Sequence, residues 1–327
     1  MRALRRLSQS FAIAAPQAAI EIAVDRVSAV MLRRGPKPEV LGCGSEALPT
    51  GAVVAGVSNR NIVDRQVVID AMRAVLERLP KKVSKVGLIV PDMVARVSII
   101  KFDQTPNNHS DLDKMIRWRI SRSVPFTLAN AQLSHTPGAA VSTNGREFVA
   151  VVMRRDITEE YEGVCLAAGV RPGIVDLASL NLINVLLANR NALQLEDWLV
   201  LHTAPGYNSI AIMRGEALLF FRTFGSARSG DVAELVHQTG MYYEDRLKGK
   251  GISKVILESS VDGDEGVAAG IARRCLTERF EVPVLEVATS ELGVRIPVEL
   301  SSMRMFAAPV GLLIRERQSV IQGHASN

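Results

Sequence analysis

The sequence predicts an α/β protein built from two similar domains that face each other across a cleft. Three observations carry this. A strand–break–strand–turn–strand unit occurs at Ala19–Leu41 and again at Trp198–Gly225, and the turn glycines Gly35 and Gly215 lie more than half a chain length apart. Helix-period and strand-period segments alternate along the rest of the chain. The length of 327 residues suits roughly two domains that each bury a core.

The elements follow in order. AIEIA at Ala19–Ala23 reads as a strand, Val24–Val27 as a polar break, and SAVMLRR as a second strand. Gly35-Pro36-Lys37-Pro38 supplies a turn, and Glu39–Leu41 a third strand. Ala52–Val63 is a connector. Asp64–Leu79 carries apolar residues three and four apart, with Asp64 placed to cap and Pro80 to stop a helix. KVGLIV (Lys85–Val90) and ARVSIIKF (Ala95–Phe102) are strands around Pro91-Asp92. Ser110 is placed to cap a helix whose buried stripe is Leu112, Met115, Ile116 and Ile120, ended by Pro125. Within it Trp118 sits between Arg117 and Arg119. Burial of Trp118 at a subdomain seam is the expectation, and a contact between this trio and a partner is the other reading.

Ala131–His135 and Glu147–Val152 read as strands, followed by helices from Asp156 to Ala168 and from Asp176 to Leu187. Ala188–Asp197 is a polar linker. Residues 1–18 thus form a leader, 19–190 a first domain with a subdomain at about 83–153, and 191–327 a second domain. In the second half, WLVL, SIAIM and LLFFRTF make the three-strand unit, with Ala204-Pro205-Gly206 and Arg214-Gly215-Glu216 as turns. Asp231–Leu247 reads as a helix with Val232, Leu235, Val236, Met241 and Tyr242 toward the core. Lys254–Leu257 is a strand, Glu265–Phe280 a helix, Pro283–Val287 a strand and Arg304–Arg315 a last apolar segment.

Composition removes several classes of function. Hydrophobic residues make up 47% and charged residues 22%, an ordinary globular balance. Cys43, Cys165 and Cys275 are far apart with no CxxC, which fits a reducing compartment and no structural zinc. The net charge of +5 comes from scattered clusters such as Lys81, Lys82 and Lys85, which read as solvated faces, and no nucleic-acid module accompanies them. No apolar run reaches the ~20 residues of a membrane span. In the leader, Leu4, Leu7 and Phe11 share a helical face beside Arg2, Arg5 and Arg6. A frayed leader is the expectation, and a short helix lying on a membrane the sharper reading. The five histidines are isolated, and neither GxxxxGK[ST] nor GxGxxG occurs.

A duplicated α/β chain whose halves each open on a β-hairpin resembles the actin/sugar-kinase superfamily, with its ribonuclease H-like domains. More closely, LPTGAVVAGVSNRNIVD, KVGLIVPDMVARVSIIKF, DLDKMIRWRISRSVPF, AAGVRPGIVDLASLNLINVLLA and FAAPVGLLIR resemble the PilM family, in that order. These are actin-like cytoplasmic proteins of type IV pilus machines, related to GspL and FtsA. The resemblance implies a nucleotide cleft in which each domain's first hairpin cradles phosphate through a D-I-G-like turn. Here the turns read Glu21-Ile22-Ala23 and His202-Thr203-Ala204, and the adenosine-side glycine pair falls on Ser259-Ser260. Only Gly225–Ser229 stands where relatives insert a lid over the base, so a reduced lid is expected.

The degenerate nucleotide-site positions are therefore Glu21, Ala23, Ala204, Gly206, Asn208, Ser259 and Ser260. No catalytic residue and no cofactor are expected, although the family admits Mg-ATP. What the resemblance then implies is a scaffold, cytoplasmic and peripheral to the inner membrane. It would bind the cytoplasmic N-terminal peptide of a bitopic PilN-like protein in a groove within about Ile62–Met153. A pilus motor ATPase is a further partner that the family allows, with Arg117, Trp118 and Arg119 as candidate partner-binding residues. The alternatives are an ATPase of the same superfamily and the cytoplasmic domain of a GspL-like type II secretion protein.

Overall fold

The structure is a computed structural model. It describes residues 16–33, 38–106, 108–188, 196–225, 231–259, 266–287, 294–296 and 303–324. The Gly35 turn, the leader face at Leu4, Leu7 and Phe11, the lid segment after Gly225 and Ser260 all fall outside the described residues.

Two five-stranded sheets share one topology. The first is ordered β3-β2-β1-β4-β8, from β1 (Ala18–Ile22), β2 (Arg26–Leu32), β3 (Val40–Ala47), β4 (Lys85–Val90) and β8 (Arg171–Leu177). The second is ordered β11-β10-β9-β12-β13, from β9 (Asp197–Ala204), β10 (Tyr207–Arg214), β11 (Ala217–Gly225), β12 (Lys254–Ser259) and β13 (Val284–Glu286). In each, the first three strands are antiparallel and the last two join in parallel. The duplication read from the turns is thus a duplication of whole sheets.

Strand alternation assigns each sheet two buried faces. On the outer face of the first, Ile20, Ile22, Val27, Ala29 and Leu88 pack under α1 (Arg65–Glu77) and α3 (Arg155–Ala167). On the outer face of the second, Leu199, Leu201, Ile210 and Val255 pack under α5 (Asp231–Asp245) and α6 (Gly266–Phe280). The inner rows, Ala19, Val30 and Ile89 against Trp198, Val200, Ala211 and Ile256, share one core with α4 (Ala178–Ala188) and α7 (Ala307–His324). Two central helices therefore lie between two sheets, and each sheet is covered outside by two more.

The α4–α7 crossing is tight. A Cβ on Gly311 would stand 2.0 Å from the Asn181 carbonyl oxygen, so only glycine admits this approach of the two backbones. Arg315 anchors α7 further through a half-buried pair with Asp176. The segment at 294–296 also crosses to the first half: Val40 N donates to the Arg295 carbonyl, and Arg295 N donates to the Pro38 carbonyl.

A third, three-stranded sheet, β5-β7-β6, consists of β5 (Ala95–Phe102), β7 (Arg146–Arg154) and β6 (Ala131–Ala140). Its Val97, Ile99 and Val149 share the central core with Met213, Leu218 and Phe221 of the second half. Its opposite face, with Ile100, Phe148, Ala150 and Val152, packs on α2 (His109–Ile120) through Ile116 and Ile120.

Several sequence expectations meet corrections. Asp176 does not begin a helix; it lies near the end of β8, and α4 starts at Ala178. Pro172 and Gly173 hid that strand, and β8 tolerates them because it is the edge of its sheet. The cap of α2 is Asn108, whose side chain accepts from Ser110 N, rather than Ser110 itself. Asp64 does cap α1, accepting from Val67 N. In α5 the core positions after Val236 are Thr239, Gly240 and Tyr243, while Met241 and Tyr242 are exposed. The Tyr243 hydroxyl donates to Asp197, which also holds Arg214 in a two-pronged pair.

Gly311→Val is expected to lower stability by roughly 3 kcal/mol, because backbone and not a flexible side chain stands in the way. Gly270→Ala, on an exposed turn of α6 with nothing within 4 Å of a new Cβ, is expected to raise it by about 0.5–1 kcal/mol. Urea unfolding of both variants checks the opposed signs.

Candidate functional site

The inner rows of the two sheets turn polar at the same end. Along β1, Ala19 is followed by Glu21; along β2, running the other way, Val30 is followed by Ser28 and Arg26. In β9 Val200 gives way to His202, in β10 Ala211 to Ser209, and in β12 Ile256 to Glu258. The registers set these residues side by side: Glu21 pairs with Ser28, His202 with Ser209, and Glu258 with His202. Each is 6% exposed or less.

Asp92 enters the same space from the turn after β4 and is fully buried. One oxygen accepts from Ser179 N at the start of α4 at 3.0 Å. The other accepts from Ser179 Oγ and, at 2.7 Å, from Ser209 Oγ of β10. A carboxylate at a helix N-terminus is favoured by the helix dipole. Through it the first sheet, α4 and the second sheet are joined by hydrogen bonds.

His202 extends the chain. Its Nδ1 lies 2.9 Å from Ser179 Oγ and 3.8 Å from Asp92 Oδ2, and its Nε2 lies 3.3 Å from Glu258 Oε2. Ser179 Oγ gives its own hydrogen to Asp92, so it accepts from His202 Nδ1–H, while the Glu258 carboxylate lies beside Nε2. Carboxylates on both sides of the ring favour the charged imidazolium. Burial works against that charge and is the largest single influence. The Asp92 hydrogen bond and the negative charges of Glu258, Asp92 and Glu21 outweigh it, so the pKa of His202 is raised. Burial also raises the pKa of Glu21, against the opposing pull of Arg26 and His202. Arg26 reaches Glu21 at 3.8 Å and Asp25 at 3.1 Å, and it feels the charge of Glu258 across the seam.

The sequence-derived positions divide between two faces. Glu21, Ala23 and Ala204 fall on the inner rows around the charges. Asn208 and Ser259 pair with Thr203 on the alternate row. Ala23 N–H donates to the Arg26 carbonyl within its own turn, at 2.9 Å. Gly206 has φ +82°, which follows from its place after Pro205 in a tight hairpin turn. Asp92, Ser179 and Ser209 were not singled out from sequence. The available signal was an aspartate directly after the apolar run Leu88–Pro91, where a solvated turn residue was the ordinary reading.

Arg117, Trp118 and Arg119 lie elsewhere, on the outer side of α2. Trp118 is 56% exposed, so the expected burial at a seam does not occur; Ile116 and Ile120 take the core, leaving the indole on the opposite side. A cavity of about 450 Å3 opens between the loop from α2 to β6 and the start of α3, lined by Phe126, Thr127, Asn130, Arg155, Asp156 and Glu159 together with Arg154. Arg154 is held there by Asp156 and the Ser58 carbonyl, and its hydrogen bond depresses the pKa of Asp156. Among the described residues, no group of three or more His, Cys, Asp or Glu could hold a metal ion. No described helix is long and apolar enough to cross a membrane.

A family model described as type IV pilus assembly protein PilM matches residues 19–250. Among solved structures, a PilM–PilN type IV pilus biogenesis complex is similar over 92% of this chain and 98% of its own, with 15% identity and a TM-score of 0.77. A Bacteroides thetaiotaomicron protein with an actin-like ATPase fold and unknown function is similar over 92% and 96%, with 11% identity and a TM-score of 0.51. At these identities the likeness is one of fold, and the chain has the actin-like ATPase fold. No curated protein matches the sequence.

The His202 pairing has a signed consequence for stability. A raised folded pKa contributes stability that is fully present below the unfolded value of 6.5 and is lost as pH rises through the folded one. Glu21 adds a loss in the same sense from its unfolded value of 4.5 upward. His202→Gln leaves Asp92 and Glu258 without their cation, and is expected to cost about 3–5 kcal/mol at pH 6. It should also flatten the decline in stability above pH 6.5, read by urea unfolding at a series of pH values. Parallel pH curves for the two proteins would show that His202 is not the imidazolium of the seam.

Proposed function

The chain belongs to the PilM family of type IV pilus assembly proteins, and from that premise we propose that it is a non-catalytic scaffold of a pilus assembly complex. It works at the cytoplasmic side of the inner membrane and binds the cytoplasmic N-terminal peptide of a PilN-like bitopic protein. One observation carries the reading: the charges at the inner ends of the two sheets are buried and paired with one another. Among the described residues, Glu21, Asp92 and Glu258 lie beside the cations Arg26 and His202, with Asp25 at the rim. This balance does not suit a triphosphate. An incoming polyanion would face an excess of carboxylates, and both cations already have partners. The first turn directs Ala23 N–H to its own strand partner, where a phosphate cradle directs amides at its ligand. The interaction capacity of the protein then lies on its outer surface.

The cavity beside α3 is the place we assign to the peptide. The family resemblance implies a groove within about Ile62–Met153; the cavity straddles that limit, with Phe126, Thr127 and Asn130 inside it and Arg155, Asp156 and Glu159 just beyond. Phe126 offers an apolar contact for a side chain of an extended peptide, Asp156 and Glu159 can receive its cationic groups, and Arg155 a carboxylate. Similarity in fold to a PilM–PilN complex supports a PilN-like partner.

Calorimetric titration with the cytoplasmic N-terminal peptide of the PilN-like protein from the same genome is expected to give saturable micromolar binding. Phe126→Ala and Glu159→Arg should each weaken it at least tenfold. Absence of binding, or indifference to both substitutions, would sink the assignment.

A further inference from the structure

We propose that the C-terminal end of α2 is a second docking surface, which takes an acidic segment of a protein partner. The chain has two tryptophans. Trp198 is fully buried, with its N–H donated to the Gly215 carbonyl. Trp118 stands 56% exposed, and the Arg122 guanidinium lies over its ring at 4.3 Å. An arginine stacked on an exposed indole is a pre-ordered pair of the two side chains most enriched at interface hot spots. The element beneath it is fixed, since Ile116 and Ile120 are buried against the three-stranded sheet.

The charge of the surface names the occupant. Earlier on α2 the cations are neutralised: Lys114 pairs with Asp111 at 3.2 Å and Arg117 with Asp113 at 2.7 Å. Arg119 and Arg122 make no ion pair among the described residues. No aspartate or glutamate occurs between Lys114 and Arg146 to supply one. The negative end of the helix dipole lets both guanidinium groups sit there without an acid of their own. They are left with their planar donors free for carboxylates, which arginine grips two bonds at a time. A peptide that places acidic side chains on Arg119 and Arg122 and an apolar one on Trp118 satisfies all three. A lipid surface fits less well, because α2 exposes Trp118 without a second large apolar side chain to make a wedge. The surface lies outside the peptide cavity and does not depend on that reading.

Tryptophan fluorescence reports on this site, because Trp198 is shielded. The probe is a soluble peptide of alternating glutamate and leucine, titrated into the full chain at low salt. The expected result is a saturable blue shift, at least tenfold weaker in Arg119→Glu/Arg122→Glu and unchanged in Lys81→Glu/Lys82→Glu, a basic pair elsewhere. Both variants alter exposed side chains, and circular dichroism confirms their fold. No saturable shift, or equal affinity in the Arg119→Glu/Arg122→Glu protein, overturns the proposal. So does a shift produced by phosphatidylserine vesicles and not by the peptide, which would make the face a lipid contact.

Discussion

The molecule depends on where its inward-facing strand rows stop being apolar. In five strands from both sheets the change falls at the same end, so Glu21, Arg26, Ser28, His202, Ser209 and Glu258 converge. Asp92 and Ser179 then tie them into one buried hydrogen-bonded seam. A single-residue slip in any of these strands would turn its charge toward the outer helices, where only apolar partners wait. The seam therefore specifies register within each sheet and the approach of one sheet to the other, a role that buried polar groups fill better than apolar ones.

Around the seam, three apolar or backbone contacts hold the halves in the same relation. The helices α4 and α7 cross where Gly311 lies against the Asn181 carbonyl. The segment at Arg295 hydrogen-bonds beside β3, and the three-stranded sheet packs on Phe221 and Leu218. Among the described residues, these contacts fill the space between the halves with side chains and backbone hydrogen bonds. The outer surface keeps the features that suit partners: a mixed-charge cavity beside α3 and an arginine-stacked tryptophan on α2.

Local patterns carried much of the fold from sequence alone. The hairpin-led repeat gave the two sheets their equivalent first three strands, and Asp64 and Pro80 bracketed α1 because capping is a local matter. β8 escaped notice because Pro172 and Gly173 mimic a break, and only its place at a sheet edge makes them acceptable. Helix periodicity puts Met241 and Tyr242 toward the core, yet both are exposed, because periodicity says which residues share a face but not which neighbour covers it. The seam was the least legible part. Asp92 meets Ser179 and Ser209 from 87 and 117 residues away, and no spacing along the chain encodes such a meeting. His202 reads from sequence as an isolated histidine, and its meeting with Ser179 and Glu258 is likewise beyond what spacing encodes.

If the protein's own charges fill the cleft, isothermal titration of the full chain with Mg-ATP at neutral pH and low salt gives no saturable heat up to millimolar nucleotide. A stoichiometric isotherm with a micromolar dissociation constant would contradict it, since the seam would then have to open to admit the phosphates.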